Sequence, residues 1–246
     1  MSYASNKPML DDPDFPPSQG AIPVWTRVFT KPGERTFIEI TQHRDATAKS
    51  AFIWLFIAGT ISGLISSLVN FVVGYAGVQQ AFSSDVGGQL PLNPAVVGIG
   101  GLLTALCSAP LTGVFTVIGF IISTGIIHAT ARFFGGQGSF DKLAYAFGAV
   151  TVPVTIISAL MVPLNAIPFV VFCTAPILIG LSIYILYLEV AAIKAVHQLG
   201  WGESAGALFL PGILLLLLCG VAFLLLMRLV GPEFSEIFQQ LQQLQQ

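Results

Sequence analysis

Glu189, in the run LSIYILYLEVAAIK, is an acidic residue inside an otherwise apolar stretch long enough to cross a membrane. An ionisable group at membrane depth is costly to desolvate, so it points by default to an ion or proton role. Its position tempers that chemistry. Lys194 follows in the same segment, which places the carboxylate only about 7.5 Å along a helix from the segment's end, within reach of headgroups or a neighbouring cation. A structural, snorkelling carboxylate is therefore the first reading and an ion or proton role the second. His128 and Arg132 lie one helical turn apart at the end of another apolar stretch, and His197 and Glu203 follow shortly after Glu189. If these converge, Glu189, His128, Arg132 and His197 form a polar cluster at one membrane face. Their spacing matches no metal motif such as HExxH. No nucleophile elbow, phosphate loop or pair of carboxylates is present either. We expect no catalytic residue, no metal ligand and no cofactor, and do not expect an enzyme.

The elements that must carry these residues are membrane helices. Hydrophobic residues make up 54% of the chain and mean hydropathy is +0.83, while charged residues are 9%, against about 25% in soluble domains. Between Asp85 and Arg132 there is no Lys, Arg, Asp or Glu. A bilayer core needs roughly 20 apolar residues of helix, because each backbone polar group must be satisfied within the segment. Five stretches meet that need: 51–75, 111–134, 143–162, 167–190 and 205–229. The expected fold is all-α, a polytopic bundle of five transmembrane helices in a membrane domain at 50–230. Residues 94–109, ahead of Pro110, are read as a separate interfacial or re-entrant helix, since 95–134 is twice the length of one crossing.

Basic residues set the orientation. Lys7, Arg27, Lys31, Arg35, Arg44 and Lys49 precede the first span, Arg132 and Lys142 follow the second, Lys194 follows the fourth, and Arg228 stands alone at the far end. The alternation fits five spans with the N-terminus in the cytoplasm and the C-terminus outside. Counting 94–109 as a sixth span would put Arg132, Lys142 and Lys194 outside. Net charge is −2 and no dense basic patch occurs, so nucleic acid is set aside as a partner.

Residues 1–24 are rich in Pro and Asp, lack the apolar core of a cleavable signal peptide, and read as a disordered cytoplasmic tail. Residues 25–49 mix apolar and basic side chains, the pattern of a helix pair in the headgroup layer bent at Pro32-Gly33, with Trp25, Phe29 and Phe37 as interfacial anchors. An irregular linker is the alternative. Residues 231–246 place Phe234, Ile237, Phe238 and Leu241 at helical spacing against Gln, an amphipathic tail or a low-complexity Gln tract. Gly59, Gly63 and Ser66 form a small-residue face that lets another helix approach, within the bundle or in a dimer. Cys107, Cys173 and Cys219 have no CxxC spacing and read as buried free thiols.

Three segments in order resemble one family. WTRVFTKPGERTFIEI looks like the premembrane segment of the Yip family, membrane proteins named for interaction with Ypt/Rab GTPases. FFGGQGSFDKLAYAFGAVTVP is similar to the Gly-rich turn and helix of its prokaryotic members, and LEVAAIKAVHQLGWGESAGALFLP resembles the loop between their fourth and fifth spans. The resemblance implies five spans with a cytoplasmic N-terminus. For eukaryotic relatives it also implies membrane trafficking and small-GTPase binding, but the DLYGP segment is absent here, so GTPase binding is not carried over. The expected function is a non-enzymatic scaffold or accessory subunit in membrane organisation or assembly. Its partners are the lipid bilayer and either other proteins or further copies, in what is expected to be a bacterial plasma membrane. A small-solute or ion transporter using Glu189 and the proline-kinked third and fourth spans is the alternative.

Overall fold

The computed structural model describes residues 20–83, 94–165 and 169–243. Among the described residues seven helices follow one another: α1 (Ala21–Thr30), α2 (Glu34–Thr41), α3 (Ala48–Ser83), α4 (Pro94–Phe133), α5 (Phe140–Asn165), α6 (Val170–His197) and α7 (Trp201–Gln243). The last five contain segments long and apolar enough to cross a membrane: Ala48–Gly74, Ile99–Phe133, Phe140–Leu164, Phe172–His197 and Trp201–Arg228. The chain is a multi-pass helical membrane protein. Most of the expected N-terminal tail lies outside the described residues, as do the side chains of the Gln-rich tail, whose backbone continues α7 to Gln243.

Residues 94–109 do not form a separate helix: α4 runs unbroken from Pro94 to Phe133 with Pro110 inside it. Proline removes one backbone donor, which membrane helices tolerate where hydroxyls and neighbouring helices satisfy nearby groups. Ser108 donates to the Ala105 carbonyl at 3.1 Å and stands 3.0 Å from the Ser67 hydroxyl of α3, while Thr112 donates to the Ser108 carbonyl at 3.0 Å.

Helices α3, α4 and α5 pack closely because small residues line their contacts. A Cβ on Gly59 would meet Thr116 Cβ at 2.9 Å, one on Gly63 would meet Thr112 Cβ at 2.7 Å, and one on Gly113 would meet the Phe56 carbonyl oxygen at 2.8 Å. The small-residue face of α3 is thus occupied by α4 of the same chain. Gly148 of α5 makes the matching approach to Ala51, where a Cβ would stand 2.7 Å from the alanine methyl. Without a hydrophobic force between helices in lipid, such close contact is the main source of cohesion. The interface threonines spend their hydroxyls on their own helices, Thr60 on Phe56 at 2.8 Å and Thr116 on Thr112 at 2.8 Å.

Along most of its length the last spanning helix stands clear of this trio. α7 meets α4 and α6 through its first turns, where Ser204 and Ala207 are fully buried, and from Gly212 to Arg228 every residue is exposed. A surface of Leu, Ile and Val is stable against acyl chains, so burial is not required of it. The same reason corrects the expectation for the cysteines: all three are unpaired and exposed on helix surfaces.

Candidate functional site

The basic end of the bundle, where α3, α5 and α7 begin and α4 and α6 finish, holds most of the buried core. α1 and α2 are folded onto it. Val24, Val28, Phe37 and Ile40 have no exposed surface, a degree of burial that headgroup insertion could not give. The sequence explains the geometry. Apolar Val24 and Val28 are four residues apart on α1, and Phe37 and Ile40 three apart on α2, so each pair shares one helix face. Pro32-Gly33 separates the helices so that both apolar faces turn the same way.

Trp25, Phe29 and Phe37, expected at the lipid interface, lie against protein. The Trp25 ring meets Trp54 edge-on at 5.8 Å between centroids, and Trp54 in turn meets Tyr145 at 5.2 Å. The Tyr184 hydroxyl donates to the Phe29 carbonyl at 2.9 Å, which ties α6 to the end of α1. Arg27 pairs with Glu39 between α1 and α2, and Lys194 of α6 pairs with Glu34 of α2. Lys194 also stands 5.3 Å from the Trp201 ring centroid, and Trp201 stacks on Tyr187. The Lys194–Glu34 pair is 19% and 40% exposed, so its worth is that of a screened surface bridge, up to about 1 kcal/mol. Glu34→Lys should lower the thermal midpoint in detergent slightly, and Lys194→Glu in the same chain should restore most of the loss. Two singles that simply add would show that the pair does not hold α2.

Of the four residues expected to cluster, the structure joins two. His128 Nδ1 lies 3.1 Å from His197 Nε2, with one nitrogen donating and the other accepting, and the two ring centroids are 5.1 Å apart. His197 is 1% exposed. Arg132, one turn along α4, is exposed beside the pair, close enough for its charge to act on both rings. Glu189 stands apart. It is two turns back along α6, half-buried, and among the described residues no hydrogen bond or ion pair connects it to either histidine. Glu203 acts locally, since its Oε2 accepts the Gly200 backbone N–H at 2.9 Å and so caps the start of α7. Among the described residues no group of three or more His, Cys, Asp or Glu is placed to hold a metal ion.

The segment FFGGQGSF makes the histidine contact possible. Gly135 adopts φ +91°, a region that side chains disfavour. Gly136 and Gly138 then pass against the last turn of α6, where Gln137 N–H donates to the His197 carbonyl at 3.2 Å. A Cβ on Gly136 would come within 2.8 Å of both the Ala131 carbonyl oxygen and His197 Cδ2. Gly136→Ala should therefore cost about 1–3 kcal/mol by overpacking, read as a lowered unfolding midpoint, whereas Gly202→Ala, with open space around it, should not. Equal midpoints for the two variants would contradict the contact.

The sequence carries no direct sign of the Glu34–Lys194 pair or of the edge-on and tilted Trp25–Trp54–Tyr145 contacts. Their members are far apart in the chain, and one sequence carries no signal for long-range pairing. The Pro-Gly bend followed by an acidic residue was the available hint.

Fold and site together define a polytopic helical membrane protein whose amino-terminal helices are docked on one end of the bundle. The chain belongs to the Yip family: the Yip1 domain model matches residues 26–224, from within α1 to within α7. No curated protein and no solved structure matches the chain.

Proposed function

We propose that this protein is a non-enzymatic scaffold or accessory subunit of a membrane assembly, and that it binds protein partners through its basic end. The supporting observation is the docked α1–α2 layer. Its buried faces fix the two helices, so Ile22, Lys31, Arg35, Ile38 and Glu39 are held outward in a set arrangement. A pre-ordered surface loses less conformational entropy on binding than a loose linker does.

The basic end faces the cytoplasm in this reading. Arg27, Lys31, Arg35, Arg44, Lys49, Arg132, Lys142 and Lys194 all belong to it, while Arg228 lies far along α7 at the opposite end. A bacterial plasma membrane remains the proposed setting. Small-GTPase binding is not proposed, because the segment associated with it is absent from the sequence. A transport pathway finds less support. The grooves between α3 and α4 and between α4 and α7 are lined almost wholly by apolar side chains, and Glu189 is not linked to the histidine pair.

The test is extraction of the tagged full chain from its native membrane in mild detergent, with sizing and mass spectrometry of what accompanies it. A stoichiometric protein partner is expected. A homo-oligomer without partners, together with an ion or proton flux that Glu189→Gln abolishes, would overturn the proposal.

A further inference from the structure

Between α3 and α4 a groove of about 460 Å³ opens on the membrane-facing surface, lined by Phe52, Ile53 and Phe56 from α3 and Val114, Val117 and Ile118 from α4. That volume falls within the roughly 300–1,000 Å³ usual for small-molecule sites. One end differs from the rest. Lys49, exposed in the first turn of α3, completes the apolar lining with its methylene stem, and its ammonium lies beyond the groove's end, near the start of the span at Ala48. Among the described residues Lys49 has no carboxylate partner. Beside it the Thr47 and Ser50 hydroxyls hydrogen-bond each other at 3.2 Å, and Thr47 Oγ1 also accepts the Ser50 backbone N–H at 3.3 Å, so they serve the start of α3.

We infer that this groove is a binding site for an anionic phospholipid, with an acyl chain along α3 and α4 and the phosphate at Lys49. The charge selects the occupant. A second apolar helix would fill the groove but leave the cation unmatched, and a zwitterionic lipid would bring its own positive group beside it. A phosphate with net negative charge satisfies both ends. The α4–α7 groove, of about 440 Å³, is lined by Leu, Ile, Pro and Gly with Ser123 and has no such cation, so any lipid can occupy it.

The experiment uses the purified full chain in a neutral detergent, titrated with phosphatidylglycerol or phosphatidylcholine, with retained lipid counted by native mass spectrometry. One lysine near an anionic headgroup is worth about 1 kcal/mol, so the wild type should retain phosphatidylglycerol with roughly fivefold preference. Lys49→Ala should bring that preference close to one without changing phosphatidylcholine retention. Val114→Trp, which fills the groove from an exposed position, should abolish the retained lipid while sizing shows an intact protein. Equal retention of the two lipids by the wild type, or an undiminished preference in Lys49→Ala, would overturn the site. So would a wild-type dimer that Val114→Trp converts to a monomer, because the groove would then be a contact between copies.

Discussion

Gly113→Leu should lower the unfolding midpoint of the detergent-purified protein sharply, while Gly119→Leu, six residues along the same helix, should leave it nearly unchanged. The contrast comes from what each side chain would meet. At Gly113 a Cβ falls against the Phe56 carbonyl oxygen at 2.8 Å and Phe56 Cδ2 at 3.2 Å, with Thr60 on its other side. A carbonyl in a helix cannot give way, so α3 and α4 must separate. At Gly119 there is nothing within 4 Å. Overpacking typically costs about 1–3 kcal/mol and more when backbones are forced apart. The loss here should reach the top of that range, because separation also releases the contacts made through Gly59 and Gly63 and the Ser67–Ser108 hydrogen bond. The swap is measured by thermal unfolding in one detergent. Comparable midpoints for Gly113→Leu and Gly119→Leu would show that α3 and α4 are not packed as described.

Phe37→Ala should free α1 and α2 from the bundle. Phe37 is fully buried with Val24, Val28 and Ile40 beneath the layer, and truncating a buried phenylalanine costs about 3–5 kcal/mol. Most of that loss should appear as undocking rather than global unfolding, because the spans keep their own packing. Limited trypsin digestion reads it directly at Arg27 and Arg35, whose following residues are Val28 and Thr36. Where opening is fast relative to cleavage, a loss near the low end of that range raises cutting by roughly a hundredfold. Ile38→Ala, on the exposed side of α2, should change cutting little. Rapid cleavage of the wild type would mean that the layer is not docked.

The spans were legible because satisfying backbone groups in lipid imposes one length and one composition, and TISGLISS carried its small residues in plain sight. Other features were not legible, and for different reasons. Pro110 signals a break in water, but α4 passes through it, as membrane helices tolerate proline where packing in the bundle re-satisfies the backbone. The premembrane segment has the composition of an interfacial helix pair, and composition cannot tell lipid from protein as the surface that takes its apolar face. Phe29 and Trp25 meet protein because α6 presents Tyr184 to Phe29, while Trp54 of α3, itself against Tyr145 of α5, meets Trp25. In the polar cluster, proximity of His128 and His197 depends on Gly135, Gly136 and Gly138, whose role as a close-approach turn appears only once α6 is beside it. Glu189 lies near the same end of its span in the sequence, but two turns of α6 separate it from His197.

The proposed function stands on recognition of the docked α1–α2 layer by a partner protein. The protein recovered with tagged wild type is therefore to be compared with that recovered on Phe37→Ala from the same membranes, at equal amounts of monodisperse bait. A stoichiometric partner on the wild type, reduced at least tenfold on Phe37→Ala, is the result predicted from that docking. Equal recovery on both would contradict such recognition and place the partner's site elsewhere on the molecule.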